Sequence, residues 1–283
     1  MTAVYVEGVG MRGPGLNGWS ESAPILAGKL PYVEAPAIIP AVNLLPANER
    51  RRMVQTVRLA LALGTEAFED AGRDPATIAT VFTSSGGDGE TINEILTALA
   101  KDEREISPTR FHNSVHNAPS GYWSIAVGSR EPASSLCCHD HSFAAGLLES
   151  TAQAAADDRA VALIAYDLPY PEPLNGVRSI VAPFAVSLLI APRPSGSSIA
   201  RLDVELAHGA AAASRMDDGA LEDLRLGNPA ARSLPLLAAL ARKGPRDVMI
   251  DYAPTGALRL AVEPLTRQPI QTEPVSAAER RRP

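Results

Sequence analysis

At 283 residues the chain is long enough to bury one large core or two smaller ones. Hydrophobic residues make up 46% and charged residues 20%, an ordinary globular balance, and the net charge of −6 excludes a global basic field for nucleic acid. The 2 cysteines are adjacent (Cys137, Cys138), where a bridge would be strained, so a disulfide framework is excluded and a reducing cytoplasm is the natural setting. Met1–Tyr5 enters a strand-like run at once and no stretch reaches about 18 uninterrupted apolar residues, so neither a secretory signal nor a membrane span is expected.

Val4–Val9 predicts a short apolar strand ending among turn glycines. Pro31 to Pro46 is proline-rich and irregular. One helix is expected from about Pro46 to Ala71, with Met53, Val57, Ala60, Leu61 and Gly64 on its buried stripe and Gly72 as its stop. Ala79–Thr83 reads as a strand and Thr91–Lys101 as a helix. Asn117–Val127 and Ser142–Ala156 are expected to be helices, with Ala133–Cys138 a buried strand between them. Ala160–Ala165, Val186–Ala191 and Ile199–Leu206 complete the strands of this region. The alternation through about residue 190 predicts α/β layering, with helices on a largely buried sheet. Asn228–Ala241 is then expected to be a helix. Val248–Tyr252 and Ala257–Val262, joined through Pro254-Thr255-Gly256, form an expected hairpin. Gln268–Pro283 is polar and basic at its end, with the composition of a disordered tail.

Four of the 5 histidines and both cysteines fall between residues 112 and 141. Histidine titrates nearest neutrality and cysteine is the best thiol nucleophile, so the span suggests concentrated chemistry. A metal reading is weak. His112 and His116 are surrounded by Asn113, Asn117 and Pro119, which disfavour a shared helical face. Cys137-Cys138-His139-Asp140-His141 lacks the spacing that wraps zinc, so no metal is expected. Ser84–Gly89 is not a phosphate loop either, because Asp88-Gly89-Glu90 stand where a lysine is needed. Arg50, Arg51 and Arg52, with Arg58 beyond, read as a solvated helix start or as a docking patch for an acidic partner.

Four segments, in order, resemble the N-terminal half of a β-ketoacyl synthase, a thiolase-type fold. These are Val4–Gly10, Arg51–Gly72 with its Asp70-Ala71-Gly72 ending, Phe82–Gly89, and Ser107–Glu149. The likeness covers roughly residues 1–206 and is to a shorter branch similar to chain-length factors, found with aryl-polyene and related polyketide or fatty-acid pathways. Ser142–Glu149 and Asn228–Arg232 carry that branch's character. The resemblance implies one largely complete thiolase half at 1–206, a reduced C-terminal helix and hairpin at 207–265, and a disordered tail at 266–283.

A working ketosynthase needs a cysteine at a helix N-terminus and two downstream histidines. Counting forward from Asn117 puts the nucleophile position at Asp140, and counting back from Phe143 puts it at His139. Neither is cysteine, and beyond His141 the chain contains only His208. The resemblance therefore implies a subunit without its own chemistry or cofactor. It would pair with an active β-ketoacyl synthase as a heterodimer or heterotetramer, with Ala133–Cys138 antiparallel to its counterpart. Phe111, His112, His116, Asn117, Tyr122, Trp123 and Phe143 are its expected pocket and interface residues. Arg50, Arg51 and Arg52 would dock an acyl carrier protein. Half a fold exposes apolar surface, which itself demands a partner. The alternatives are an acyltransferase using Cys138 with His139, His141 or His116, and a homodimeric scaffold.

Overall fold

Val4, Val6, Val9 and Met11 are fully shielded from water, which fixes the first strand at the middle of a sheet rather than at its edge. In the computed structural model, which describes residues 1–209, 212–253 and 256–267, this strand is β1 (Thr2–Gly13). The other strands among the described residues are β2 (Leu16–Asn17), β3 (Ala79–Thr83), β4 (Ala133–Leu136), β5 (Val161–Asp167), β6 (Phe184–Ala191), β7 (Ala200–His208), β8 (Arg246–Tyr252) and β9 (Gly256–Pro264). They form one sheet in the order β4-β3-β5-β6-β1-β7-β9-β8, with β2 paired to β1. β3 runs parallel to both β4 and β5, and the remaining pairs are antiparallel. Apart from the short β2, which was not expected, each observed strand falls on an expected one, with β4 shorter than expected. Pro254 and Thr255, and the tail from Gln268, lie outside the described residues.

The helices are α1 (Trp19–Leu26), α2 (Ala47–Arg52), α3 (Gln55–Ala71), α4 (Gly89–Leu99), α5 (Pro108–Asn113), α6 (Ala118–Val127), α7 (Ser142–Asp157), α8 (Leu174–Val177), α9 (Gly219–Gly227) and α10 (Leu234–Ala241). α3 and α6 cover one face of the sheet around Phe68, Phe82 and Trp123. α7, α1 and α10 cover the other, and the β8–β9 hairpin curls over this layer far enough for β8 to touch α7. The result is a mixed α/β sheet with a helical layer on each side.

The single helix expected from Pro46 to Ala71 is two. At Met53 the backbone turns extended (φ −65°, ψ 127°), and its buried side chain drops into the core, so α2 and α3 part there. α3 keeps the expected stripe: Val57, Ala60 and Leu61 are buried, and Gly64 admits the Trp123 ring, which would lie 2.5 Å from an added Cβ. It ends at Gly72 (φ 66°), where Gly72 N donates to Glu69 O at 3.2 Å and Arg73 N to Phe68 O at 3.0 Å.

β4 corrects a second expectation. It is an edge strand, half exposed, and stops at Leu136, which leaves Cys137 and Cys138 exposed beyond it rather than buried within it. The helix expected over Asn228–Ala241 starts later, at Leu234, after a 3₁₀ turn over Ala230–Ser233. Pro229 and Pro235 lack the N–H groups that a continuous helix uses. α4 keeps the amphipathic pattern expected of it, yet Thr91 alone on it is buried. Leu96 and Leu99 stay exposed.

Candidate functional site

β3, β4 and β5 are parallel, so their C-terminal ends open on the same side of the sheet, where α/β folds hold ligands. Ser84 and Ser85 follow β3, Cys137 and Cys138 follow β4, and Asp167 ends β5. The Asp167 carboxylate is buried, and its Oδ1 accepts from Ser84 Oγ (3.0 Å), Ser85 N (2.8 Å) and Ser85 Oγ (2.8 Å). The carbonyls of the same two serines face the cluster. His116 Nε2 lies 3.2 Å from Ser84 O, and the Cys137 thiol donates to Ser85 O at 3.1 Å. One buried carboxylate thus sets the backbone on which His116 and Cys137 rest.

Burial raises the Asp167 carboxyl from 3.8 to about 6, against the lowering effect of the Ser85 and Ser84 hydrogen bonds. A raised folded-state value gives stability that is complete below the unfolded carboxylate range and is lost as pH rises through about 6. The window is therefore pH 4 to 6.5, and the loss is about 3 kcal/mol at ~1.4 kcal/mol per unit. Asp167→Asn keeps the accepted hydrogen bonds without the charge. The stability advantage of this variant over wild type, from urea unfolding, is expected to grow by about that amount between pH 4 and pH 7. A pH-independent difference would show that Asp167 ionises without penalty.

The turn from β4 into α7 is closed by Ser142, whose Oγ accepts from Cys138 N (3.0 Å) and donates to His139 O (2.7 Å). His139, at the apex, has φ 53°, a left-handed conformation that a non-glycine residue adopts at some cost. The next residue, Asp140, accepts from Arg178 at 2.8 Å and lies 3.6 Å from Arg232. Burial pushes its carboxyl up, but Arg178, by hydrogen bond and charge, and then Arg232 outweigh this and hold it below the usual range. Arg232 also pairs with Asp251 of β8, and His141 Nδ1 is 3.3 Å from Asp251 O. A chain of alternating charge, Arg178–Asp140–Arg232–Asp251, therefore spans the turn from β4 into α7.

Desolvation and then the neighbouring Cys137 push the Cys138 thiol up, away from the thiolate that a nucleophile needs. Among the described residues no hydrogen bond joins that thiol to a histidine. Nor do three or more His, Cys, Asp or Glu side chains converge to hold a metal among them.

A second feature lies between α2, α5 and α6, a cavity of about 920 Å³ with Phe111, His112, Asn117 and Tyr122 in its wall, Val115 and Ile125 beside them, and Glu49 and Arg52 at the rim. Phe111 and Ile125 are 67% and 66% exposed. Trp123 and Phe143, expected at the pocket, are instead in the core: Trp123 stacks on Phe68 (centroids 5.6 Å apart), and Phe143, in the first turn of α7, is fully buried. Arg51 and Arg52 are exposed on α2, and Arg50 donates to Asn43 at 3.2 Å. The residues not anticipated from sequence are Asp167, Arg178 and Asp251. Arg232 belonged to the Asn228–Arg232 segment already singled out, and there the signal was present without its meaning.

Layered α/β topology with a strand–turn–helix step from β4 into α7 defines a thiolase-like fold. The chain belongs to the beta-ketoacyl synthase family, N-terminal domain, whose family model matches residues 19–244. No curated protein matches it at a significant level. It is similar to a chain in a solved complex of a ketosynthase with its chain length factor from Xenorhabdus doucetiae (23% identity, TM-score 0.70, 92% of this chain and 100% of that one). It is also similar to a chain of the ishigamide ketosynthase/chain length factor (13%, TM-score 0.68, 94% and 100%). A third likeness is to a chain of a type II polyketide ketosynthase bound to its acyl-carrier protein (12%, TM-score 0.68, 93% and 99%). No helix among the described residues is long and apolar enough to cross a membrane.

Proposed function

We propose that this protein is a non-catalytic, chain-length-factor-type subunit. It pairs with an active β-ketoacyl synthase and bounds the tunnel for a growing acyl or polyene chain in aryl-polyene, polyketide or fatty-acid biosynthesis. The observation that carries the reading is the nucleophile turn. His139 holds its apex, and Asp140 beside it is tied between Arg178 and Arg232. A carboxylate so paired is a poor nucleophile, and the nearest thiol is pushed toward its neutral form.

The surface supports the pairing. β4 leaves one edge of the sheet open, and α6, which packs on β4, carries exposed Ile125. Phe111 of α5 lines the same cavity as Ile125, and Leu96 and Leu99 of α4 are exposed as well, a burden a protein rarely leaves uncovered. Arg51 and Arg52 of α2 are exposed, Arg50 is half-exposed beside them, and Arg52 lines the cavity; the three suit an acidic carrier protein.

The test is reconstitution with a ketosynthase and carrier protein from the same source. Cys138→Ala is expected to leave product formation within about twofold of wild type. Lost turnover with the complex still assembled would instead assign an acyltransferase step to Cys138.

A further inference from the structure

Glycine inside a helix costs stability against alanine, so each one needs a reason. At Gly64 of α3 and Gly146 of α7 the reason is packing. An added Cβ would lie 2.5 Å from the Trp123 ring at the first and 2.7 Å from Leu163 at the second. Gly121 of α6 has no such reason. It is exposed, its backbone is not in the left-handed region, and its N–H makes an ordinary helical bond to Asn117 O at 3.2 Å. Among the described residues nothing lies within 4 Å of where its Cβ would stand.

The reason therefore lies outside the chain, and the surroundings say what kind. Gly121 is in the wall of the cavity between α2, α5 and α6, one turn before exposed Ile125, and α6 carries no charged side chain. A helix face left to water ordinarily carries charge. In the lining of this cavity, carboxylate and guanidinium groups are confined to Glu49 and Arg52. A concavity of about 920 Å³ is filled by a narrow occupant rather than by a flat partner surface. Arg52 in that lining, with Arg50 and Arg51 beside it on α2, suits the acidic carrier that would bring an acyl chain. We infer that the acyl chain crosses α6 at Gly121, where the missing side chain lets methylenes lie against the helix backbone, and that this position limits how long a chain the cavity takes. This rests on the acyl-tunnel reading and adds to it the residue that sets the limit.

The experiment repeats the reconstitution with ketosynthase and carrier protein and reads product lengths by mass spectrometry. Gly121→Leu is expected to cut the ratio of the longest product to the next shorter one by about 10-fold or more, the discrimination that a methylene carries in an apolar pocket. Gly121→Ala should raise the melting temperature of the free chain by about 2 to 4 °C, as a glycine kept for an occupant requires. A lowered melting temperature would assign the glycine to the fold and overturn the inference. Ile125→Trp, on the same wall, should also shorten the products. If it does and Gly121→Leu does not, the inference falls and the acyl tunnel stands. If neither changes the lengths, both fall. A Gly121→Leu chain that no longer co-purifies with the ketosynthase also overturns the inference, because the glycine then serves the partner's backbone.

Discussion

Asn228→Ala is expected to cost the fold about 3 kcal/mol, a large share of the stability of an ordinary domain. Asn228 is fully buried and uses both ends of its amide. Nδ2 donates to Ala182 O at 2.8 Å and to Asp167 O at 3.2 Å, while Oδ1 accepts from Ala230 N at 2.9 Å and Ala231 N at 3.2 Å. Ala231 N keeps the Asn228 backbone carbonyl at 3.1 Å, but alanine would take the side-chain partner from the other three backbone groups, at about 1 kcal/mol each. The urea midpoint should fall with the slope unchanged, since the surface exposed on unfolding is the same. A loss below about 1 kcal/mol would mean that water or a shifted backbone replaces the amide.

The same amide explains why the Asn228–Arg232 segment hangs together. Asn228 pins the turn to the end of β5, where Asp167 sits, and four residues on Arg232 reaches Asp140 and Asp251. The turn therefore transmits the position of the sheet to the β4–α7 turn. Loss of Asn228 is expected to loosen the Asp140 lock as well as the fold.

Much of the sheet was legible because buried parallel strands have a plain signature. Ala79–Thr83 and Val161–Ala165 are short apolar runs bounded by turn residues, and they fold as read. β4 was misread for a physical reason. A strand that pairs on one side only has no compositional mark separating it from a buried one, and the sequence Ala133–Leu136 is small and neutral enough for either place. The break at Met53 was hidden because the apolar stripe continues through it in register. At the site, the Cys/His concentration is a local signal, and most of it falls on the turn between β4 and α7. The groups that neutralise it are not local: Arg178 is 38 residues from Asp140, and Asp251 is 110 from His141. Sequence spacing carries no trace of such contacts. Nor could it show that Trp123 points into the core while its neighbour Tyr122 reaches the cavity, because a helical face is assigned only by what packs on it.

Ser135→Pro is expected to abolish pairing with a ketosynthase while sparing the chain's own fold. Thr80 N donates to Pro132 O at 3.0 Å and Ser84 N to Leu136 O at 3.3 Å, so the even-numbered residues of this segment bond inward to β3. Ala133 and Ser135 therefore turn their N–H and C=O groups to the open edge. Proline at 135 removes a donor that the chain itself does not use, the setting in which strands tolerate it. A strand arriving antiparallel would lose that bond and meet the pyrrolidine ring in its place. The affinity for the ketosynthase should fall by roughly 100-fold, about 3 kcal/mol, with the melting temperature changed by a few degrees at most. Ser135→Ala, which gives up only a 3.3 Å contact with Ser120 Oγ, is the control and should pair normally. Because the substitution acts on the main chain of one edge, undiminished pairing would move the interface off β4 and leave the apolar face of α4, α5 and α6 to carry it alone.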